Sequence, residues 1–382
     1  MTLEQLGLFE APTTDVENPD YLAKQLITYI GNKRGLRIPI SNALAEIRTR
    51  VGGRKLRSLD MFSGSSFVSR LLKQHSELVI SNDLERYAAA MADCYLTNRS
   101  EVDFARLSET VQTLNAAALN PESGAGGFIR ELYSPADDKN IKPGERAFYT
   151  TDNGRKLDFY SQELTKLDPQ TRSLLLGPLI SAASVHANTG GVFKGFYKDK
   201  STGIGKFGAS GGDALSRILS PIELSVPTLS NFDTGRIVYQ RDANELAGEV
   251  QEVDVCYIDP PYNQHPYGSN YFMLNLLVDY TRPENISKVS GIPAAWNRSG
   301  YNVKKQSFNL LSDLFAKVPA RFLLVSFNSE GHVSTEELRT ELEKHGQVDE
   351  MITQYNTYRA SRNLRSRETY VSEHLFLLDR HS

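Results

Sequence analysis

The sequence predicts an α/β protein with a mixed, mostly parallel β-sheet flanked by helices. Two observations predict this fold: short apolar strand-like segments alternate with segments that are apolar at helical spacing, and small or acidic residues follow several of the strands. A third observation is a long stretch, residues 97–230, that breaks this alternation. We therefore expect a sheet protein that carries a largely helical insertion.

Length and composition exclude several classes of protein. The chain has 382 residues, more than the usual ~100–200 residues of one domain. Its two cysteines are too few for a disulfide framework or a four-thiolate metal site. No apolar run approaches the roughly 20 residues that cross a bilayer, and residues 1–20 do not read as a secretory signal. We expect a soluble, cytoplasmic protein that needs no metal.

The first half of the pattern consists of two strand–helix units. Residues 1–20 are polar and contain proline, so we interpret them as a mobile arm before a helix that starts near Asp20. The two units that follow place strands at 58–62 and 77–82 and helices at 67–72 and 85–96. Consecutive units of this kind imply neighbouring parallel strands covered by helices.

The alternation resumes after residue 230 and completes the sheet. Within the insertion, helical spacing recurs near 103–118 and 169–186. The later strand-like segments are predicted at 235–240, 254–259, 321–327, 348–355 and 370–378. The expected division of the chain is an arm (1–20), a sheet domain (21–96 and 231–382) and an inserted region (97–230).

The sharpest motif is Asp259-Pro260-Pro261-Tyr262, which directly follows the apolar run 253–258. Open α/β sheets bind their ligands at the carboxyl ends of strands, so this loop is expected to face a ligand. The amino nitrogen of adenine is a poor nucleophile because its lone pair is delocalised into the ring. A carboxylate and a carbonyl that accept its two N–H groups would aim the lone pair at a methyl donor, and Asp259 and the Pro260 carbonyl fit these roles.

Tyr262 and the two prolines complete this interpretation. Pro260 and Pro261 fix the backbone and leave carbonyls free to accept hydrogen bonds. Tyr262 offers a flat face for a base extruded from the duplex, because chemistry on a base requires its removal from the stack. The competing interpretation is an ordinary rigid turn after a strand, since Pro-Pro often marks turns.

Acidic residues at three strand ends predict a pocket for a nucleoside cofactor. Residues 60–66 form a small turn with one glycine, which lets the backbone approach a cofactor, although a simple tight turn also fits. Asp83 stands where a carboxylate accepts hydrogen bonds from ribose hydroxyls, with a helix N-cap as the alternative. Asp242-Ala243 is a candidate to bind the cofactor's adenine amino group, with a turn as the alternative.

In type and order, these motifs resemble those of the DNA amino-methyltransferases that modify adenine, in the group whose cofactor motif precedes the catalytic one. The resemblance runs from about Tyr29 to Leu378, with a less diagnostic stretch between about 97 and 180. The segments that carry it are Tyr29-Ile30-Gly31-Asn32-Lys33-Arg34, Phe62 with Gly64 and Ser65, Asp259-Pro260-Pro261-Tyr262, Asn263-Gln264-His265-Pro266-Tyr267-Gly268, Leu324-Val325-Ser326-Phe327-Asn328 and Tyr355-Asn356-Thr357-Tyr358-Arg359.

This resemblance implies a Rossmann-like fold that uses S-adenosyl-L-methionine to methylate the N6 amino group of adenine in double-stranded DNA, with base flipping. It implies a modification enzyme of a type II restriction-modification system, with a nuclease that acts separately. The implied catalytic residues are Asp259, Pro260, Pro261 and Tyr262. The implied cofactor-binding residues are Tyr29, Gly31, Lys33, Asp60, Phe62, Gly64, Ser65, Asp83, Asp242, Ala243 and Asp259.

The chain departs from the family pattern at the cofactor loop. The family often has a second glycine where this chain has Ser65 or Ser66, which puts the backbone contacts of this loop in doubt. At the catalytic motif, Asp259 replaces the serine that is more common in cytosine amino-methyltransferases. The resemblance therefore favours adenine as the acceptor.

Local basic clusters are expected to hold DNA, because the net charge of −3 argues against non-specific coating of nucleic acid. Four arginines lie between the last two predicted strands, and their loop emerges at the catalytic edge if the preceding strand is parallel to the others. The alternative is an ordinary solvated loop. The insertion is expected to recognise the target. The candidate DNA contacts are Lys33, Asn188, Lys194, Tyr197, Lys198, Arg359, Arg362, Arg365 and Arg367.

A short pattern in the N-terminal arm suggests a further partner. Gln5-Leu6-Gly7-Leu8-Phe9 is similar to peptides that place apolar anchors in the groove of a bacterial sliding clamp. The alternative is an amphipathic arm that packs on its own domain.

Two other kinds of function stay open on the sequence alone. The same fold could act on the N4 amine of cytosine, on RNA or on a protein glutamine, although protein-glutamine enzymes usually carry asparagine at the position of Asp259. A DNA-binding module that has lost catalysis would show decay of the catalytic motif, which is intact. Methylation of a cytosine ring carbon needs a Pro-Cys nucleophile, and neither Cys94 nor Cys256 follows a proline.

Overall fold

A computed structural model describes residues 16–209, 211–212, 214–328, 331–356 and 370–381. The clamp-like pattern at 5–9 and the four arginines between 359 and 367 lie outside these ranges. The strands of the described part form one sheet: β1 (Leu56–Asp60), β2 (Ser76–Asp83), β3 (Gly235–Gln240), β4 (Val253–Ile258), β5 (Ala320–Asn328), β6 (Gln347–Asn356) and β7 (Tyr370–Asp379).

The strand order is β3-β2-β1-β4-β5-β7-β6. Strands β1 to β5 are parallel, β7 is antiparallel to β5, and β6 is antiparallel to β7. It follows that β6 runs in the same direction as β1 to β5, so β6 ends and β7 begins at their carboxyl edge. The prediction of a mixed, mostly parallel sheet is confirmed, and each predicted strand segment overlaps an observed strand.

Both faces of the sheet are buried, which explains why its central strands read as continuous apolar runs. Alternate side chains of β4 and β5 point to opposite faces. Val255, Tyr257 and Phe322 belong to a core on one face, and Cys256 and Leu323 belong to a core on the other. Cys256 is therefore a small core residue.

Helices cover both faces. In chain order they are α1 (Pro19–Ala23), α2 (Arg37–Arg50), α3 (Phe67–Leu72), α4 (Arg86–Leu96), α5 (Phe104–Ala117), α6 (Phe128–Tyr133), α7 (Thr151–Leu164), α8 (Pro169–Val185), α9 (Leu215–Leu219), α10 (Ala243–Ala247), α11 (Tyr267–Asn270), α12 (Phe272–Asp279), α13 (Lys304–Lys317) and α14 (Thr335–Glu343). Helices α3, α4, α5 and α8 confirm the predictions. The helix expected to start near Asp20 is only five residues long.

Helix α7 was not predicted because its sequence is largely polar. Thr150 caps it by accepting a hydrogen bond from the Asn153 N–H at 3.1 Å. Asp158, in its middle, is buried and accepts the backbone N–H groups of Ile129 and Arg130 at 2.9 and 2.8 Å. Tertiary contacts therefore satisfy the polar groups that this helix buries.

Residues 97–230 contribute α5 to α9 and, in their described part, no strand of the sheet. Helix α8 packs closely on α4, since the Cys94 thiol donates to the Leu174 carbonyl at 3.3 Å. A Cβ added at Gly177 would lie 2.6 Å from the Cys94 sulfur, so a larger residue would separate the two helices. Among the described helices, none combines the length and apolar character that a membrane crossing requires.

Candidate active site

A cavity opens at the carboxyl edge of β1, β2 and β4. Parallel strands end at the same edge, which brings Asp60, Asp83 and Asp259 to one place although they are far apart in sequence. Every residue that the sequence analysis named for cofactor binding lines this cavity: Tyr29, Gly31, Lys33, Asp60, Phe62, Gly64, Ser65, Asp83, Asp242, Ala243 and Asp259.

The loop between β1 and α3 needs its glycine. Gly64 has a φ of +50°, in the left-handed region that favours glycine. A Cβ at this position would lie 2.7 Å from the Tyr29 hydroxyl oxygen and 2.8 Å from a ring carbon of Tyr29. Ser66 also has a positive φ, of 58°, just before α3 begins. The loop therefore turns tightly against the Tyr29 ring, which leaves room for a ligand but none for a larger residue at position 64.

Asp83 connects this loop to the start of α4. Its Oδ2 accepts the Gly64 N–H at 2.7 Å, and its Oδ1 accepts the Glu85 N–H at 2.8 Å. Burial raises the pKa of Asp83 to about 6, and the backbone hydrogen bonds oppose that rise. Asp83 thus fixes the shape of the loop, and its bond to ribose hydroxyls stays a prediction.

Asp60, at the end of β1, carries a buried oxygen without a described partner. The Ser69 hydroxyl donates to Oδ2 at 2.6 Å, whereas Oδ1 accepts no hydrogen bond from the residues that the structure describes. Burial raises the pKa of Asp60 to about 7. An unsatisfied buried carboxylate is costly, and positive charge in the cavity would stabilise it. This feature fits a cationic ligand.

Asp242 and Phe62 form another wall of the cavity. Asp242 caps α10, since its Oδ1 accepts the N–H groups of Asn244 and Glu245 at 2.9 and 3.3 Å. The Phe62 ring meets the Tyr301 ring edge-on, with centroids 5.2 Å apart. Aromatic surface beside a carboxylate suits a flat heterocycle that carries an amino group. The contact of Asp242-Ala243 with such a group stays a prediction.

The predicted catalytic motif begins directly after β4, with Asp259 at the rim of the cavity. The Lys33 Nζ lies 3.0 Å from Oδ1 of Asp259 and 2.6 Å from Oε1 of Glu373. The side chains of Lys33 and Glu373 are 6% and 1% exposed, and that of Asp259 is 18% exposed. One buried ammonium group therefore joins two carboxylates, and the carboxylate of the catalytic motif is the more open of the two.

Charges around Asp259 act on its pKa in opposite directions. Burial raises the pKa, Lys33 lowers it, and Glu373 raises it, so that the pKa stands above its usual value. For Lys33, burial lowers the pKa but the two carboxylates raise it further, to well above its usual value. Lys33 is therefore charged at neutral pH, and this charge supports the ionised form of Asp259.

Neighbouring segments fix the rest of the motif. The Tyr262 carbonyl accepts a hydrogen bond from the His332 N–H at 2.8 Å. The Tyr262 ring meets the Phe327 ring edge-on, with centroids 6.5 Å apart. The Asn302 side chain donates to the Asn263 carbonyl at 2.7 Å. Pro261 lines the cavity, and Pro260 is buried. Base stacking on Tyr262 stays a prediction.

Sequence reasoning missed two buried acidic residues of this site. Glu85 lines the cavity and accepts hydrogen bonds from Asn275 and Asn297 at 2.7 and 3.4 Å, and burial raises its pKa to about 7. Glu373 belongs to β7, whose start lies at the carboxyl edge only because this strand is antiparallel to β5. The signal for Glu373 in the sequence was an acidic residue at an inward-facing position of an apolar strand. Whether such a residue lies at the carboxyl edge depends on the direction of its strand.

Part of the predicted DNA-contact set lies on an exposed segment. Lys194 and Lys198 are exposed, and Tyr197 is partly exposed. The Phe193 N–H donates to the Asn270 carbonyl at 2.7 Å, which ties this segment to α11. Because α11 follows the catalytic loop, the segment stands near the site.

Asn188 differs from these residues because it is fully buried. Its Nδ2 donates to the carbonyls of Ala147 and Lys206 at 2.7 and 2.8 Å, and its Oδ1 accepts the Gly208 N–H at 3.0 Å. The amide therefore holds the glycine-rich loop together. This placement argues against the predicted contact between Asn188 and DNA.

Comparison with known proteins assigns the family. The chain is 27% identical to the type II methyltransferase M.NlaIII of Neisseria lactamica, over 93% of this chain and 99% of that protein. It is 26% identical to M.CviAII of Paramecium bursaria Chlorella virus 1, over 92% and 98% of the two chains. The match to M.FokI of Planomicrobium okeanokoites, at 27% identity, covers 84% of this chain and 48% of M.FokI. The family model for D12 class N6 adenine-specific DNA methyltransferases matches residues 29–340, and the chain belongs to this family.

Proposed function

We propose that this adenine methyltransferase takes its methyl group from S-adenosyl-L-methionine and delivers it to one specific site in double-stranded DNA. The observation that carries the proposal is the position of Asp259-Pro260-Pro261-Tyr262 at the rim of the cavity that gathers the predicted cofactor residues. A methyl donor in the cavity and an adenine at the rim would meet at Asp259.

The residues at the rim suit the activation of an aromatic amine. Asp259 would accept one N–H of the flipped adenine, and the Pro260 carbonyl would accept the other, which directs the nitrogen lone pair towards the cavity. Lys33 supports the ionised form of Asp259, in which both carboxylate oxygens can accept hydrogen bonds. Tyr262 would stack on the base, because its ring is only partly buried.

The residues of the cavity fit S-adenosyl-L-methionine. When bound, this cofactor supplies a methyl group on a positively charged sulfur, which makes transfer favourable once the geometry is set. Asp60, Asp83 and Glu85 give the cavity an acidic lining that suits a cationic ligand. We assign the amino acid and ribose parts to the side of Tyr29 and Asp83, and the adenine to the side of Phe62 and Asp242.

The names of the relatives support a role in restriction-modification. M.NlaIII, M.CviAII and M.FokI are type II methyltransferases. We propose that this protein likewise protects DNA from a nuclease that acts separately on the same sequence. Contact with a sliding clamp through residues 5–9 remains a hypothesis from the sequence.

In this proposal, residues 21–96 and 231–382 form the catalytic domain, and residues 97–230 form the target-recognition region. The exposed Lys194 and Lys198 would contact phosphates, and Tyr197 would contact the DNA beside them. The arginines at 359, 362, 365 and 367 belong to the same proposal, because β6, which precedes them in the chain, ends at the carboxyl edge.

Replacing Lys194 or Lys198 with alanine is expected to weaken DNA binding to a similar degree for all sequences. Each lost phosphate contact should reduce the slope of log K against log salt by roughly 0.9, because one fewer counterion is released. The measurement is a salt titration of binding to duplexes of different sequence. Lys317→Ala serves as the control, because Lys317 lies at the end of α13, just before β5 starts at the opposite edge of the sheet. A slope that equals that of the wild type in both test variants would exclude phosphate contacts there.

The overall proposal is tested by transfer of labelled methyl from S-adenosyl-L-methionine to unmethylated genomic DNA, followed by nucleoside analysis. We expect label in N6-methyl-2′-deoxyadenosine. Label in N4-methyl-2′-deoxycytidine would show that cytosine is the acceptor. In a parallel reaction with RNA, label in RNA but not in DNA would show that RNA is the substrate. An absence of label in all of these, with DNA binding intact, would favour a module that has lost catalysis.

A further inference from the structure

The short contact of Lys33 with Glu373 points to a role for an acidic residue outside the catalytic motif. The Lys33 Nζ is closer to Glu373, at 2.6 Å, than to Asp259, at 3.0 Å. Glu373 lies on β7, a strand that carries no residue of the predicted site. Its carboxylate nevertheless contacts the same Lys33 ammonium group as Asp259 does.

Glu373 is itself held in place by β5. The Ser326 hydroxyl donates to Oε1 at 2.7 Å, and the Asn328 amide donates to Oε2 at 3.4 Å. In the antiparallel pairing of β5 with β7, Asn328 is directly opposite Glu373. Each oxygen of this carboxylate therefore has a donor on a rigid central strand, and the carboxylate also pairs with the Lys33 ammonium group.

The charge balance explains why a second carboxylate is useful. An unpaired ammonium group in a buried site is strongly unfavourable. If Asp259 were the sole partner of Lys33, each engagement of Asp259 with an adenine amine would weaken the pairing of this buried cation. With Glu373 in place, Lys33 stays paired while Asp259 binds the amine.

We propose that Glu373 is a positioning residue for methyl transfer: it holds the Lys33 ammonium beside Asp259 and compensates its charge, so that Asp259 is available to the target amine. The inference rests on the proposed function of Asp259. It assigns Glu373 no contact with substrate or cofactor.

The charges around Asp259 set the expected pH dependence. Among the residues that the structure describes, the groups that act on it or feel its charge include Lys33, Glu373, Asp60, Tyr257 and Tyr267. Ionised Asp259 can accept from Lys33 with one oxygen and from the amine with the other, whereas a protonated carboxyl group has a proton on one of these oxygens. The rate should therefore fall on the acidic side as Asp259 is protonated. Glu373 raises the pKa of Asp259 and Lys33 lowers it. Glu373→Gln should therefore move the acidic limb to lower pH, and Lys33→Met should move it to higher pH.

The experiment measures single-turnover methyl transfer to unmethylated genomic DNA across pH, with enzyme in excess, together with cofactor affinity. For Glu373→Gln we expect a rate at least about tenfold below that of the wild type, which corresponds to about 1.4 kcal/mol of lost transition-state stabilisation. Cofactor affinity should change by less than about threefold. Glu373→Asp keeps the charge and should return the acidic limb to its wild-type position.

The control is Asp379→Asn on the same strand. Asp379 is also buried, but it pairs with Arg321 and Arg50, away from the catalytic motif. This variant measures how the loss of a buried acidic group from β7 affects the rate when that group is far from Asp259. Its pH profile should match that of the wild type. If Glu373→Gln does not fold, Ser326→Ala takes its place, because it removes one donor to Glu373 and should lower the rate without changing cofactor affinity.

The outcomes separate this inference from the proposed function. Wild-type enzyme that places no methyl on adenine would overturn the proposed function itself. An active wild type whose Glu373→Gln variant keeps the rate and the pH profile would overturn the role of Glu373 alone. Shifts of the acidic limb in the same direction for Glu373→Gln and Lys33→Met would also overturn it, because a general loss of stability would produce that result.

Discussion

Replacing Asp259 with alanine is expected to lower the single-turnover rate of methyl transfer by roughly 10²–10³-fold or more, the usual cost of removing a principal transition-state hydrogen-bond partner. The structural reason is its place at the rim of the cavity, where it would accept an N–H of the adenine. The fold should survive, because Lys33 keeps its contact with Glu373 at 2.6 Å when Asp259 is absent. The measurement is transfer of labelled methyl under single-turnover conditions.

Asp259→Asn is the matched variant for this test. Asparagine keeps one oxygen acceptor and the size of the side chain but loses the charge that Lys33 stabilises. We expect a rate between those of the wild type and Asp259→Ala, with cofactor affinity close to that of the wild type in both variants. Thermal unfolding of each protein checks that the fold is intact. Alanine at position 259 with a rate within about tenfold of the wild type would refute the assigned role.

Replacing Gly64 with alanine is expected to weaken binding of S-adenosyl-L-methionine by on the order of 100-fold, about 2.7 kcal/mol. The left-handed conformation of Gly64 costs an alanine about 1–2 kcal/mol. The added Cβ would also lie under 3.0 Å from three atoms of the Tyr29 ring and hydroxyl, so Tyr29 or the loop must move. Both lie on the wall of the cavity. Calorimetric titration of the cofactor measures the effect.

The control for Gly64 is Gly52→Ala. Gly52 has a φ of +81°, but a Cβ there would meet no heavy atom within 4 Å, and it does not line the cavity. This variant therefore carries backbone strain without the contact with Tyr29. We expect a comparable loss of thermal stability and an unchanged cofactor affinity. Equal cofactor affinity in Gly64→Ala and the wild type would show that the loop does not bind the cofactor.

The sheet could be predicted from sequence because its strands are buried on both faces. Strands such as β4 and β5 are short apolar runs, and the acidic residue after β4 marks the edge where ligands bind. Helix α7 could not be predicted in the same way, because its polar residues are buried by partners from distant segments. Asp158, for example, accepts hydrogen bonds from the backbone N–H groups of Ile129 and Arg130, two neighbouring residues of α6.

The residues of the candidate site likewise fall into those that local sequence predicts and those that depend on tertiary contacts. Motifs that follow strands were found because their residues are contiguous: residues 60–66, Asp83 and Asp259-Pro260-Pro261-Tyr262. Asn188 looked like a DNA contact because it precedes a basic, glycine-rich stretch, but whether its amide faces DNA or its own loop depends on how that loop closes. In the structure, the Asn188 amide faces its own loop and forms hydrogen bonds with backbone groups of Ala147, Lys206 and Gly208.

By itself, the sequence determined the fold class, the place of each strand and the position of the loops that follow β1 and β4, because local pattern and strand periodicity encode them. The roles of these loops in cofactor binding and catalysis stay predictions. Only the tertiary structure decided that Glu373 lies beside Lys33. The reason is that the antiparallel direction of β7 is set by its pairing with β5, a long-range contact. No local pattern in residues 370–379 records that direction, so the partner of a buried charge at the start of this strand appears only when the sheet is assembled.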